Sequence, residues 1–241
     1  IKKEISSMFF YGSFDSSYLI YMILSCAISF YAQCKVNNAF KKYSNVFCKK
    51  GISGEECAEE MLRYNNINDV TIHQTGGEYS DYFDPRSNEV HLSEPVYSRN
   101  TITAVSVAAH ECGHATQHHK NYWPIKIRSL LVPVCSLASN LSMPLVLIGM
   151  LWPTEHDVLL NLGIMLFSFS VLFHLITLPV EFDASKRALE SLKSTNTLSE
   201  EEISGAKEVL SAAAFTYVAA MFDSLLFLLR LIFISSSRRK K

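Results

Sequence analysis

Three long windows of the sequence contain no charged residue. Residues 16–34, 129–154 and 158–180 hold no Asp, Glu, Lys or Arg, although charged residues make up 19% of the chain. A helix needs about 20 apolar residues to cross the hydrocarbon core of a bilayer, and each window is long enough to supply them. Outside the windows, the density of charge is ordinary for protein in water. The sequence therefore predicts a multi-pass membrane protein with a modest aqueous portion.

The bulk composition excludes several other classes of protein. A formal net charge of −1 lacks the basic balance that is typical of a nucleic-acid-binding domain. A hydrophobic share of 49% is too high for a disordered chain. The six cysteines form no CxxC pair and no framework spacing, which argues against a disulfide scaffold.

The basic residues predict how the chain is arranged across the membrane. A fourth apolar stretch, residues 208–234, is interrupted by Asp223 and Arg230, so it is either a re-entrant helix or, as we favour, a span. Lys and Arg near the helix ends place residues 37–128 and 181–207 in the cytoplasm. The basic C-terminal tail conflicts with a fourth full span, because the tail would then lie outside, and a re-entrant helix would remove the conflict.

The predicted organisation has eight segments. In order, they are an N-terminal segment (1–17), a first transmembrane helix (18–36), a cytoplasmic region (37–128), a second and a third transmembrane helix (129–152 and 158–180), a cytoplasmic helix (181–207), a fourth transmembrane or re-entrant helix (208–234) and a basic tail (235–241).

The aqueous region between the first two spans is predicted to be α+β. Ser53 and Glu56 form a capping box, which indicates the start of a helix. Residues 70–74 and 89–93 alternate between apolar and polar positions, which predicts two strands separated by a long loop. An amphipathic helix is expected over residues 100–119. The whole chain is thus predicted to be mainly α, with a small α+β portion, which contains a short β-hairpin or sheet, packed on about four apolar helices.

The last helix of this region contains an HExxH motif, formed by His110, Glu111 and His114. Residues four apart lie on one face of a helix, so both imidazoles can bind a single Zn²⁺. Glu111 lies beside that face and can accept a proton from water that the metal activates. The motif therefore predicts a zinc-dependent hydrolase, and it makes the α+β portion of the chain zincin-like. Taken alone, the motif is also compatible with two partly exposed histidines beside a solvated glutamate.

A catalytic zinc site needs a third protein ligand as well as an open position. Two spans separate His114 from Glu181, so the chain has crossed the membrane and returned, and Glu181 is the first charge after the third window. Glu181 is the expected third ligand of one zinc ion per chain, and Asp183 is a supporting partner or the alternative ligand. His118 could orient His114 or extend the metal-binding face.

Three further residues are candidates for stabilising the oxyanion of the reaction: His91, Tyr97 and Tyr217. The sequence does not distinguish among them. The substrate is expected to lie extended along the strand at residues 89–93 and to pair with its backbone.

The sequence resembles the neutral zinc metallopeptidases of the YugP-like membrane family. Four segments carry the resemblance, namely DYFDPRSNEVHLS (81–93), HECGHATQHH (110–119), LPVEFDASKRA (178–188) and AAFTYVA (213–219). The resemblance implies a membrane-embedded, zinc-dependent peptidase of the gluzincin type. It also implies the same roles for the same residues, with His110, His114 and Glu181 as ligands and Glu111 as the base.

Two positions depart from what the resemblance implies. Better-studied membrane gluzincins have an Asp four residues after the ligand Glu, whereas this chain has Ser185 there, so Asp183 is the candidate for the orienting role. Asp223 lies in a segment that is mostly apolar in the family.

The expected partners are a protein or peptide substrate near the cytoplasmic face of the cell membrane, and the lipid bilayer itself. Nucleic acid is not expected, and the oligomeric state is left open. Two other interpretations remain. An intramembrane protease would have HExxH inside a long apolar helix, and Arg99 and Asn100 just upstream argue against that. A non-catalytic, zinc-stabilised membrane scaffold or assembly factor is the second.

Overall fold

The computed structural model describes residues 16–77, 80–152 and 157–238. Most of the predicted N-terminal segment and the last three residues of the predicted basic tail lie outside these residues. The described part contains seven helices and three strands, namely α1 (Ser16–Tyr43), α2 (Gly54–Tyr64), β1 (Thr71–Thr75), β2 (Tyr82–Asp84), β3 (Glu89–Ser93), α3 (Glu94–Tyr97), α4 (Ile102–His119), α5 (Trp123–Leu151), α6 (Val158–Ser194) and α7 (Glu200–Arg238).

Four of these helices, α1, α5, α6 and α7, are long and apolar enough to cross a membrane. Large apolar side chains on them are exposed, including Leu130 at 74%, Leu151 at 64% and Phe233 at 57%. Side chains of this kind are compatible with surrounding lipid, whereas a large apolar surface in water is rare on a soluble monomer. The prediction of a mainly helical chain with four apolar helices is confirmed.

The third apolar segment does not end where the sequence suggested. The span was expected to end at residue 180 and a separate helix to begin at 181, but α6 runs through Pro179 and on to Ser194 without interruption. A proline inside a helix costs about 3 kcal/mol. Beyond it, however, Ala184, Ala188 and Leu192 are completely buried, and packing of that face stabilises the longer helix. As a result, Glu181 lies inside a helix and not at its end.

The fourth apolar stretch is part of a single continuous helix, α7. At its end, Arg238 donates hydrogen bonds to the carbonyl oxygens of Gly149 (3.0 Å) and Met150 (2.7 Å). The Arg238 guanidinium also lies 3.6 Å from the Asp157 carboxylate. The end of α7 therefore lies beside the end of α5 and the start of α6, which favours a continuous fourth helix over a re-entrant one.

The chain divides into two compact units. The membrane unit comprises the described parts of residues 1–32, 130–175 and 218–241, and the motif unit comprises residues 33–129 and 176–217. Within the membrane unit, both ionisable side chains that interrupt the fourth apolar stretch have partners. Asp223 accepts a hydrogen bond from Ser29, and the Arg230 guanidinium lies 4.0 Å from the ring centre of Tyr18. Ionisable groups among apolar helices are costly unless they are paired in this way.

The motif unit contains the predicted sheet, with one strand more than expected. The strand order is β1-β3-β2, with β1 parallel and β2 antiparallel to β3. Val90 and Leu92 are completely buried in the core that also includes residues of α2 and α4. The predicted capping box at the start of α2 is present, with Ser53 and Glu56 each bonding to the other's backbone.

The arrangement of the strands contradicts the predicted path of the substrate. All of β3 pairs with β1, and residues 89–91 also pair with β2 on the other side. The prediction that a substrate pairs with the strand at residues 89–93 is therefore wrong over 89–91, because the backbone groups there are already used on both sides. Among the described residues, β2 has a neighbouring strand on one side only, so the other edge of β2 is open in the sense that no strand pairs with it.

Candidate metal centre

Helix α4 carries the HExxH motif, and a glycine in the motif lets α6 approach it. A Cβ atom on Gly113 would lie 2.4 Å from the carbonyl oxygen of Ala184, which is too close for any side chain. The two helix backbones therefore pack in close contact at this point. This approach places Glu181, one turn before Ala184 on α6, opposite the histidines of α4.

Three side chains converge between the two helices, and we call them the helical cluster: His110, His114 and Glu181. The Nε2 atoms of His110 and His114 lie 3.3 Å and 3.6 Å from the same carboxylate oxygen, Oε2 of Glu181. One donor atom from each residue lies within 4.8 Å of the others. Donor atoms that hold one tetrahedral zinc ion at about 2.0–2.2 Å lie about 3.4 Å apart. The spacing of these donors therefore fits a zinc ion.

The second nitrogen of each imidazole also has a partner. Nδ1 of His110 lies 3.2 Å from the Ser185 hydroxyl, and Nδ1 of His114 lies 3.1 Å from the side-chain oxygen of Gln117. Partners at Nδ1 orient the rings and leave Nε2 available for a metal, which is the usual arrangement around histidine ligands. Two imidazoles and a carboxylate are also a donor set that zinc accepts.

The other oxygen of Glu181 faces a positive charge. Nη1 of Arg128 lies 3.1 Å from Oε1 of Glu181, which is within ion-pair distance, although the geometry is not that of a hydrogen bond. Glu181 is only 1% exposed, and a buried carboxylate needs such compensation. The Tyr217 hydroxyl lies beside the same carboxylate.

Glu111 is buried next to the helical cluster. Burial raises the pKa of Glu111 to about 7, with the Glu181 carboxylate acting in the same direction and His110 acting against it. A carboxyl group with a pKa near neutral can both accept and release a proton at neutral pH. This property is required of a residue that serves first as a base and then as an acid.

Two residues predicted to support the ligands have their contacts outside the helical cluster. Asp183 accepts hydrogen bonds from Gln117 (2.8 Å) and from Arg187 (2.6 Å), and thus contacts His114 only through Gln117. The His118 ring packs against Phe83, with ring centres 5.8 Å apart. The structure does not bring Asp183 or His118 into the helical cluster.

The three candidate oxyanion stabilisers are also separated. Tyr217 is at the cluster, as described above. Tyr97 donates a hydrogen bond to Glu55 at the start of α2. His91 stacks on Tyr82 with ring centres 4.6 Å apart, on the face of the sheet opposite the buried Val90. Of the three, only Tyr217 lies against a residue of the helical cluster.

Three residues that contact the helical cluster or allow its helices to approach were not identified from the sequence. Gly113, Gln117 and Arg128 were not singled out for a role at the site. Gln117 could have been found, because it follows His114 by three residues and therefore shares its helix face. Arg128 had no such signal, since its contact with Glu181 joins two helices that are distant in sequence.

Comparison with known proteins agrees with this geometry. The family described as "Putative neutral zinc metallopeptidase" matches residues 18–236. The chain belongs to this family. It is also 44% identical over 217 residues to "Putative membrane protease YugP" of Bacillus subtilis (strain 168), a match that covers 90% of this chain and 96% of that protein. No solved structure matches.

Membership confirms the resemblance recognised in the sequence. A family of zinc metallopeptidases implies zinc, and the helical cluster is a group of side chains whose donor atoms lie close enough together to hold a metal ion. The name of the relative and the four apolar helices both indicate a membrane protein.

Proposed function

We propose that this chain is a membrane-embedded metallopeptidase of the gluzincin type that hydrolyses peptide bonds with water. The observation that carries the proposal is the convergence of His110, His114 and Glu181, with Glu111 buried beside them. Family membership supports the same reaction class. No other set of His, Cys, Asp and Glu side chains in the described part of the chain brings its donor atoms together as closely.

The helical cluster would hold one zinc ion per chain. When bound, the ion would supply a Lewis acid that activates water and polarises the peptide carbonyl. The chain contributes two neutral imidazoles and one carboxylate. Their total charge of −1 does not cancel the +2 charge of zinc, so the occupied site would remain net positive. Arg128 holds the second oxygen of Glu181, which keeps that carboxylate aimed at the histidines through Oε2.

Glu111 would carry the proton during hydrolysis. It accepts a proton from the attacking water as the new C–O bond forms at the peptide carbon. It then donates that proton to the leaving nitrogen as the C–N bond breaks, so that no net proton is gained or lost by the protein. Tyr217 is the candidate that supports the developing oxyanion, because its hydroxyl reaches the ligand Glu181.

The substrate would lie along the open edge of β2. This strand lies near α4: the charge of Asp81, just before the strand, acts on Glu111, and the Phe83 ring in its middle packs against His118. The Asp81 carboxylate is itself held by the backbone N–H (2.7 Å) and the hydroxyl (3.0 Å) of Ser93. Backbone pairing here presents an extended peptide to the cluster. Peptides with N-methylated backbone amides on the pairing side should be cleaved more slowly than their unmethylated counterparts.

The motif unit would face the cytoplasm, and its substrates would be proteins near that face of the membrane. Lys41 and Lys42 in the last turn of α1 and Lys120 after α4 supply the basic residues that the positive-inside rule requires there. In a background without other reactive thiols, a cysteine at position 120 should react with a membrane-impermeant maleimide only after the cells are broken. Labelling of intact cells would show that the motif unit faces the outside of the cell.

The decisive experiment for the reaction compares wild type with Glu111→Gln, purified in detergent. We expect both to bind one zinc ion per chain, while cleavage of fluorescently labelled casein falls about 10²–10⁴-fold in the variant. Glu59→Gln, an exposed position on α2, is the matched control and should retain full activity. An active Glu111→Gln enzyme would rule out the mechanism. If Glu111→Gln restores the normal phenotype of cells that lack the protein, a non-catalytic membrane scaffold or assembly factor would be favoured instead.

A further inference from the structure

Gln117 is a completely buried amide between α4 and α6. Its side-chain nitrogen donates to two acceptors on α6, the Val180 carbonyl oxygen and the Asp183 carboxylate, each at 2.8 Å. Its side-chain oxygen faces Nδ1 of His114 at 3.1 Å. The amide thus links one histidine of the helical cluster to the helix that carries Glu181.

The two acceptors decide which way the amide points. The nitrogen of a Gln side chain only donates and its oxygen only accepts. Because the Val180 and Asp183 oxygens can only accept, the nitrogen must face them, and the oxygen must face His114. An oxygen at Nδ1 requires that Nδ1 carries the proton. In a neutral ring, the unprotonated nitrogen of His114 is then Nε2, which is the atom that faces Glu181 at 3.6 Å and the one that a metal would bind.

Asp183 is itself held in place. Arg187, one turn further along α6, donates to both carboxylate oxygens of Asp183, at 2.6 Å and 3.3 Å. The Arg187 guanidinium in turn lies 5.5 Å from the ring centre of Tyr122. The Asp183 carboxylate is therefore neutralised and aimed at Gln117 and not at a histidine.

We propose that Gln117 and Asp183 are positioning residues that set the tautomer of His114 and thereby the affinity of the helical cluster for zinc. The inference rests on the proposed function. Gln117 transmits the orienting effect of a carboxylate on α6 to a histidine on α4, which the carboxylate does not touch. Outer partners of this kind typically change metal affinity by about 10–100-fold.

The test measures zinc affinity, by competition with a chromophoric chelator, in full-length protein purified in detergent. Gln117→Met keeps the volume but removes the donor and the acceptor, and it should weaken zinc binding about 10–100-fold. Gln117→Glu should weaken it similarly, because a carboxylate would face the Val180 and Asp183 oxygens without a donor. Thr116→Val is the matched control: Thr116 is equally buried on α4 but bonds only to its own helix, so zinc affinity should not change.

A mutant cycle and a spectrum test positioning directly. Asp183→Leu should weaken zinc binding, and Asp183→Asn should weaken it less because asparagine still offers an acceptor. The double variant Gln117→Met with Asp183→Leu should bind zinc no more weakly than Gln117→Met alone, because both changes remove the same interaction. In metal-free protein labelled with ¹⁵N-histidine, at a pH at which the imidazole rings are neutral, wild-type His114 should show the Nδ1–H tautomer, and Gln117→Met should lose this preference.

The outcomes separate this inference from the proposed function. If wild type binds no zinc, the proposed function is wrong. If wild type binds zinc and either Gln117→Met or Gln117→Glu binds it equally well, the positioning role is wrong while the proposed function stands. If Gln117→Met does not fold, the zinc affinities of Gln117→Glu and Asp183→Asn are compared with that of wild type instead, and wild-type affinity in both would show that the positioning role is wrong. Additive effects in the cycle would also overturn the inference.

Discussion

Among its described residues, the motif unit contains two groups of two histidines and a glutamate, and only one of these groups has the geometry of a metal site. The second group, which we call the sheet cluster, consists of His73, His91 and Glu89 on one face of the β-sheet. Nε2 of His91 lies 3.1 Å and Nε2 of His73 lies 3.6 Å from the Glu89 carboxylate. These distances are close to those in the helical cluster. Residue types and the distances from each histidine to the carboxylate therefore do not distinguish the two groups. The donor atoms of the helical cluster, however, all lie within 4.8 Å of one another, and no other such group occurs among the described residues.

The difference lies in how the donors are held. In the helical cluster, both histidines face a single carboxylate oxygen, and each has a partner at Nδ1. In the sheet cluster, the histidines face different oxygens of Glu89, and the Thr71 hydroxyl also lies 3.1 Å from Nε2 of His73. The side chain of His73 is 50% exposed, whereas that of Glu181 is 2% exposed. Burial and orienting partners, and not the donor set, make a preorganised site.

The largest expected effect is the loss of zinc from the helical cluster. His114→Ala should reduce the zinc content from one ion per chain to none, because two donors remain where the site needs three. His91→Ala, which makes the same substitution in the sheet cluster, should leave the zinc content at one. Zinc is measured by atomic absorption after gel filtration. Loss of zinc from His91→Ala would mean that the two clusters are not as different as their geometry indicates.

The second prediction concerns the approach of the helices. Gly113→Ala would put a Cβ atom 2.4 Å from the Ala184 carbonyl oxygen, so α4 and α6 must separate. We expect a loss of about 1–3 kcal/mol in the free energy of unfolding and weaker zinc binding. Gly76→Ala is the control, because a Cβ atom there meets nothing within 4 Å. Thermal unfolding in detergent and chelator competition measure the two effects, and a Gly113→Ala protein with wild-type affinity would refute the role of close approach.

The third prediction is a pH dependence of the metal-free protein. The pKa of Glu111 is about 7 when folded, against an ordinary value of 4.5. Between these values the folded state binds more protons than the unfolded state. The free energy of unfolding should therefore fall as the pH rises from about 4.5 to about 7, by up to about 1.4 kcal/mol per pH unit from this group.

Glu111→Gln isolates this contribution, because glutamine does not titrate. The difference in melting temperature between wild type and Glu111→Gln should change with pH over that range and level off above it. Parallel curves for the two proteins would show that the buried position of Glu111 does not raise its pKa.

The smallest expected effect is at Ser185, the neutral partner of His110. Ser185→Ala removes one hydrogen bond of ordinary strength, worth about 0.5–1.5 kcal/mol, so zinc affinity should fall about 2–10-fold. Ser194→Ala, at an exposed position on the same helix, should have no effect. A loss larger than that of Gln117→Met would show that His110 depends on its partner more than His114 does.

Features that depend on one stretch of chain were predicted correctly. The charge-free windows correspond to helices, and Ser53 with Glu56 begins α2 as its capping box indicated. His110 and His114 share a helix face because a spacing of four residues fixes their directions in any α-helix. Propensity, periodicity and capping act over a few residues, so the sequence contains them directly.

Features that depend on contacts between distant stretches of the chain could not be predicted from the sequence and became visible only in the structure. The sequence did not show that Pro179 lies inside a helix, because the packing that compensates for it comes from other elements. It did not show that β3 is the central strand, since strand order depends on which edges pair. The Glu181 ligand was inferred from topology, but its contact with Arg128 was not.

The sequence by itself determined the chemistry available to this protein: apolar segments for a membrane, two imidazoles on one helix face and a glutamate between them. The tertiary structure decided which of the remaining side chains complete the site. It made Gln117 and Ser185 the partners of the histidines, and it separated Asp183 from His114 by the amide of Gln117. The physical reason is that direction along a helix follows from covalent geometry, whereas contacts between helices follow from packing, here at a position where only Gly113 fits.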